Sequence, residues 1–256
     1  ATNLEVSNVD VVLGSSGADT LTYLGGGTVS ASNVEVVIGT TGTTDALRVL
    51  GSGAATTVSV SALESVVGSA GLSDTVNMVD TPVLSVSGVE TVIGTSGSTD
   101  TVVYLSGSTV AVSGVESVVG SGATTDTVKM LVSGTLQVSQ IESVQGTTGA
   151  GDIVEVMGVD VTLSVSGVES VQGSTGTGDV LQLAGAQTVS VSAFDTVLGS
   201  VGTDTVNMLS AGTLVVSSVE TLKGSGGADK EPVAEEGGRR RGGVGCGTGA
   251  GHGEQR

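Results

Sequence analysis

The sequence predicts an all-β chain: a parallel β-solenoid of about nine stacked rungs, each about 26 residues long. Three observations predict it. A unit recurs along the chain, with copies opening at Ser7, Ser32, Ser61, Ser87, Ser113, Ser139, Ser166, Ser192 and Ser217. Val, Ser, Thr and Gly dominate, with no Trp, two Tyr and one Phe, which suits strands and turns rather than helices. Apolar residues alternate with polar ones in short runs, the period of half-buried strands.

Each copy divides into three extended runs. The first is Thr-[Val/Leu]-x-[Val/Ala], as in Thr57-Val58-Ser59-Val60. The second carries two apolar positions three residues apart, such as Val89 and Val92. Strict alternation would set these on opposite faces, so a bend is expected between them, with the intervening acid pointing outward into solvent. The residue before the next glycine tolerates Gln145, Gln172 and Lys223 and is expected near solvent. The third run follows an aspartate, as in Asp100-Thr101-Val102-Val103-Tyr104, with Val102 and Tyr104 facing in and the position of Val103 facing out. The inward row reads Tyr23, Val49, Met78, Tyr104, Met130, Val156, Leu183 and Met208, a bulky core stack. One unit per rung gives a rod of about 38 Å at ~4.8 Å per strand spacing.

The solenoid is expected over residues 1–229, beginning and ending inside a repeat. The pattern stops after Asp229, and residues 230–256, rich in Gly and Arg, are expected to be disordered. Residues 1–229 carry 22 acids against Arg48, Lys129 and Lys223 alone. That surface excludes nucleic acid, whose phosphates require clustered Lys and Arg, and favours cations. Cys246, the only cysteine, leaves no intrachain disulfide. No run is long and apolar enough to span a membrane, and no cleavable leader is visible.

Two series of carboxylates carry whatever chemistry the chain has. One is Asp10, Glu35, Glu64, Glu90, Glu116, Glu142, Glu169, Asp195 and Glu220. The other is Asp19, Asp45, Asp74, Asp100, Asp126, Asp152, Asp179, Asp204 and Asp229. With one unit per rung, equivalent charges would stand ~4.8 Å apart and repel by roughly 0.9 kcal/mol even in water. The aspartates sit in loops rich in Gly, Ser and Thr. Such loops offer carbonyl oxygens to Ca²⁺, or let each Asp cap its own turn by accepting backbone N–H groups. The first series is expected to be a solvated row.

Gly14-Ser15-Ser16-Gly17-Ala18-Asp19-Thr20-Leu21 resembles the Gly-Gly-x-Gly-x-Asp-x-(aliphatic)-x nonapeptide of RTX, or hemolysin-type, calcium-binding proteins. Gly199–Val206 matches it as well, and Gly224–Asp229 matches up to the aspartate. The flanking Val-Ser-Gly-Val-Glu-Ser-Val style is similar to the units of long RTX-type adhesins and surface-layer proteins. The resemblance implies a parallel β-roll with Ca²⁺ held between turns by the aspartates and by carbonyls of the glycine loops. Asp19 and Asp204 inherit that role most directly.

The expected function is therefore non-enzymatic: a structural or adhesive repeat segment of a bacterial secreted or cell-surface protein that binds Ca²⁺ weakly along the Asp series. End-to-end self-association is the expected protein partner. Two alternatives stand beside this. A hydroxyl row (Ser15, Thr40, Ser69, Thr95, Ser121, Thr147, Ser174, Ser200, Ser225) would suit ice or a polymer surface. A parallel β-helix can also host a polysaccharide lyase or hydrolase, but residues 1–229 have no His or Cys, and their carboxylate pairs recur in every copy.

Overall fold

A computed structural model describes residues 1–229 other than 43, 52–54, 70–72, 98, 123, 124 and 228. The expected tail, 230–256, lies outside the described residues. The described chain is all-β, with 26 strands in two parallel sheets of 13. Strands β1 (Asn3–Val6), β3 (Thr20–Tyr23), β5 (Val36–Ile38), β7 (Thr57–Ser61) and β9 (Thr75–Asp80) pair in that order in the first sheet. Strands β2 (Val11–Leu13), β4 (Gly27–Ser32), β6 (Asp45–Val49) and β8 (Ser65–Val67) do so in the second. The alternation continues to Val215–Ser217 and Thr221–Lys223. Each turn of the chain is thus one strand in each sheet and two connecting loops.

The expected three runs per copy are all present, but two strands, not three, complete a turn. One copy therefore spans one and a half turns. The expectation of about nine rungs is corrected to thirteen strands per sheet. The twelve intervals from first to last make a rod of about 58 Å at ~4.8 Å each. A residue period fixes the length of the unit, whereas the number of turns depends on where the corners fall.

The expected bend between Val89 and Val92 is such a corner. The chain leaves one sheet at Ser87, and re-enters the other at Thr91. Val89 and Val92 are both buried because the corner residue fills the end of the core between the sheets. The residue opening the corner turn lies in the left-handed region in all nine copies: Gly88, Gly114 and Gly167, and also Asn8, Asn33, Ala62, Gln140, Ala193 and Ser218 at φ of 50–57°.

Alternation holds within the inner strands of both sheets. Leu21 and Tyr23, Val58 and Val60, and Val76 and Met78 are buried, while their neighbours face out. Seven of the eight residues in the expected core row are buried, and Met208 packs partly buried against the same cluster. They form two stacks and not one, because consecutive copies enter opposite sheets. Tyr23 is in the first sheet and Tyr104, three copies later, in the second. The core is a single column of mostly Val and Leu between the sheets. β-branched valine suits that place, since its restricted χ1 packs well on a pleated face.

Candidate functional site

Three kinds of loop join the strands: a corner turn carrying the first acid, a glycine–aspartate loop, and a loop of variable length. With one and a half turns per copy, both edges of the rod repeat the same order of glycine–aspartate loop, corner turn and variable loop. On one edge Asp19 of the loop after β2 lies beneath Glu35 of the corner before β5, and on the other edge Asp45 lies beneath Glu64. The expected single ladder of nine aspartates is thus two ladders on opposite edges. Like members stand three rungs, ~14 Å, apart. Their mutual repulsion falls to about 0.3 kcal/mol in water, and salt screens it further.

Each aspartate is a knot of hydrogen bonds. In the first eight copies one carboxylate oxygen, Oδ2, accepts the N–H of the Ser or Thr that opens its own loop, at 2.5–2.9 Å. The same oxygen accepts that residue's hydroxyl at 2.6–2.9 Å. The other oxygen accepts a backbone N–H from the variable-loop side of the preceding rung: Thr2, Gly27, Thr56, Ser108, Val161 or Gln187, at 2.7–3.2 Å. Pro82 stands at that place before Asp100 and has no N–H to give, and at Asp152 the buried Oδ1 has no partner. In the ninth copy Ser225 Oγ donates to Asp229 Oδ1 at 3.0 Å.

The first acid series is not the solvated row expected of it. In eight copies one carboxylate oxygen accepts the backbone N–H of the aspartate on the rung below, at 2.6–3.0 Å. The backbone N–H of the same acid reaches back to the aspartate's carbonyl, as from Glu35 to Asp19 and Glu90 to Asp74 at 3.1–3.2 Å. The two bonds hold the aspartate backbone through both its N–H and its carbonyl. Asp195 keeps the role with a shorter side chain, accepting from both Gly178 and Asp179 N–H. The signal available in the sequence was a distance: Asp19, Asp74, Asp100 and Asp126 are each followed by Glu after 16 residues.

The opening glycine of the loop completes the junction. A Cβ on Gly39 would run into the carbonyl oxygen of Ala62 and crowd Asp45 Oδ2, and one on Gly94 would do the same with Gly114 and Asp100. The same collision recurs at Gly14, Gly68, Gly120, Gly146 and Gly199. Glycine is needed there for close approach of two rungs.

Burial and donors act on the carboxylates in opposite directions. The Ser15 N–H and hydroxyl hold Asp19 below the usual aspartate range. At Asp179 burial pushes the carboxyl up, and the Ser174 hydroxyl with the Val161 and Ser174 N–H groups outweighs it, leaving the pKa lowered. Tyr23 and Tyr104 are both raised, first by burial and then by the nearby charges of Asp45 and Asp126.

The hydroxyl row expected to present a flat surface is turned inward. Eight of its nine hydroxyls donate to an Asp Oδ2 and the ninth, Ser225, to Asp229 Oδ1, and consecutive members lie on opposite edges. Among the described residues, no group of three or more His, Cys, Asp or Glu side chains is placed to hold a metal ion, and no helix is long and apolar enough to cross a membrane. A groove of about 280 Å³ opens beside Phe194, Met208 and Leu214, but its one carboxylate, Asp195, already accepts two N–H groups. The arrangement is that of a parallel β-solenoid whose edges are stapled by paired acids. Scans of protein-family models, curated proteins and solved structures each gave no match.

Proposed function

We propose that the chain is a non-enzymatic structural rod, a repeat segment of an exported bacterial surface or adhesive protein. The observation that carries this is the repetition of one acid staple with the same partners in eight successive loops. Chemistry at an active site calls for a rung that departs from its neighbours, whereas a spacer calls for rungs that are alike. The acidic surface and the likeness of the units to RTX-type adhesin repeats support the extracellular setting.

The test has two arms. Duplicating residues 87–138, two whole copies, should lengthen the particle in small-angle scattering by about 14 Å, three rungs, at constant cross-section. Labelled rod should also be retained on bacterial surfaces or surface polymers, compared with a scrambled chain of equal charge. Turnover of an acidic polysaccharide that is lost on changing a single rung would replace this reading with the lyase alternative.

A further inference from the structure

We infer that the rod closes without calcium, the paired acids doing between rungs what a bridging cation does in the RTX-type β-roll. The one-and-a-half-turn unit is what forces this. A bridging ion needs two glycine–aspartate loops on adjacent turns of one edge. Here the rung above a glycine–aspartate loop always presents a corner turn, and the rung above that a variable loop. The next glycine–aspartate loop is three rungs, ~14 Å, away. Ca²⁺ holds its oxygens at roughly 2.3–2.6 Å, so one ion joins groups about 5 Å apart and no more.

Nor does a single loop supply the cage. Asp45, Asp126, Asp152, Asp179 and Asp204 are wholly buried. Around these carboxylates stand N–H and O–H donors, as at Asp126, which faces the Ser121 N–H and hydroxyl and the Ser108 N–H. Donors of this kind satisfy an anion and bring no lone pair of their own from the N–H groups to a cation. The position an ion would take between turns is filled by the acid of the corner, with Glu142 Oε2 2.6 Å from Asp126 N. The residues that the resemblance assigns to calcium therefore do not fit it in this geometry. Their negative charge is answered by the N–H and hydroxyl of their own loop and, in six copies, by an N–H of the preceding rung.

The full-length chain should be unfolded and refolded in chelator and in excess Ca²⁺, with Mg²⁺ and with NaCl at matched ionic strength. Equal midpoints and equal recovery of the β signal support the inference. So does a rise common to all three salts, which is screening of the acidic surface. A rise specific to Ca²⁺, with saturable binding by calorimetry, would overturn it. The variant Glu142→Ala should lower the midpoint by the same amount with and without Ca²⁺, and Glu142→Gln, which keeps one acceptor oxygen, by less. A loss seen only in the presence of Ca²⁺ would contradict the staple. A chain that passes these tests but binds no surface would leave the staple standing and remove the surface role.

Discussion

The two junctions that carry the chain around each edge obey different rules. Where a glycine–aspartate loop meets the corner turn above it, the glycine, the hydroxyl residue, the aspartate and the acid all recur. Three rungs are tied through one aspartate, two by its carboxylate and the third by its backbone N–H to the acid above. In the variable loop, length and composition drift. Gly25, Gly185 and Gly212 have open space where a Cβ would go. Leu24, Leu105 and Met157 stand more than half exposed at its start. The solenoid concentrates its specificity in one junction, and leaves the other free to change.

The same substitution placed in both regions should separate them most sharply. Gly94→Ala drives a methyl into the Gly114 carbonyl and should cost about 3 kcal/mol in denaturant unfolding, whereas Gly185→Ala should stay within about 0.5 kcal/mol. Removing a carboxylate comes close behind. Asp126→Ala strands the Ser108 and Ser121 N–H groups and the Ser121 hydroxyl, at about 3 kcal/mol. The exposed Asp80→Ala, at the mouth of a variable loop, should be near neutral.

A smaller contrast divides the two tyrosines. Tyr23 donates to the Ala46 carbonyl at 3.0 Å, while the Tyr104 hydroxyl is buried without a partner. Tyr23→Phe should lose about 1 kcal/mol, and Tyr104→Phe should gain a similar amount. At the corner, Ala193 at φ 56° holds a conformation that Gly167 takes freely, so Ala193→Gly should raise stability by about 0.5 kcal/mol.

Acid should loosen the knotted edges. Asp19 and Asp179 have pKa values below the ordinary 3.8, so the folded chain binds fewer protons than the unfolded one in that region. Their contribution is complete above pH ~4 and is lost as the pH falls through the depressed folded values. The melting midpoint should fall with decreasing pH there, and less so in Asp179→Asn.

Much of the fold was legible in the sequence. The period located every copy, and alternation in runs such as Thr75-Val76-Asn77-Met78 assigned the buried face. The number of turns was not legible, because three short runs per copy fit a three-sided rung as well as one and a half turns of a two-sided one. The corner at Val89-Glu90 looks locally like a bulge within one strand. The glutamates were misjudged for a related reason. An acid in a turn looks solvated when its partner, a peptide N–H, lies on the next rung and 16 or more residues away. The Asp turn cap was visible because its donor is only four or five residues from it.

The one-and-a-half-turn unit decides which loops meet, so the most direct measurement is a pair of distances. Spin labels at Thr44, Ser73 and Thr99, each just before its aspartate, can be compared in a Cys246→Ser background. The structure places Thr44 and Thr99 on one edge, three rungs or about 14 Å apart, and Ser73 on the opposite edge. The pair 44 and 99, more distant in sequence, should therefore be the closer in space. If 44 and 73 prove the closer pair, stacked about one strand spacing apart, each copy is a full turn and the staple cannot form.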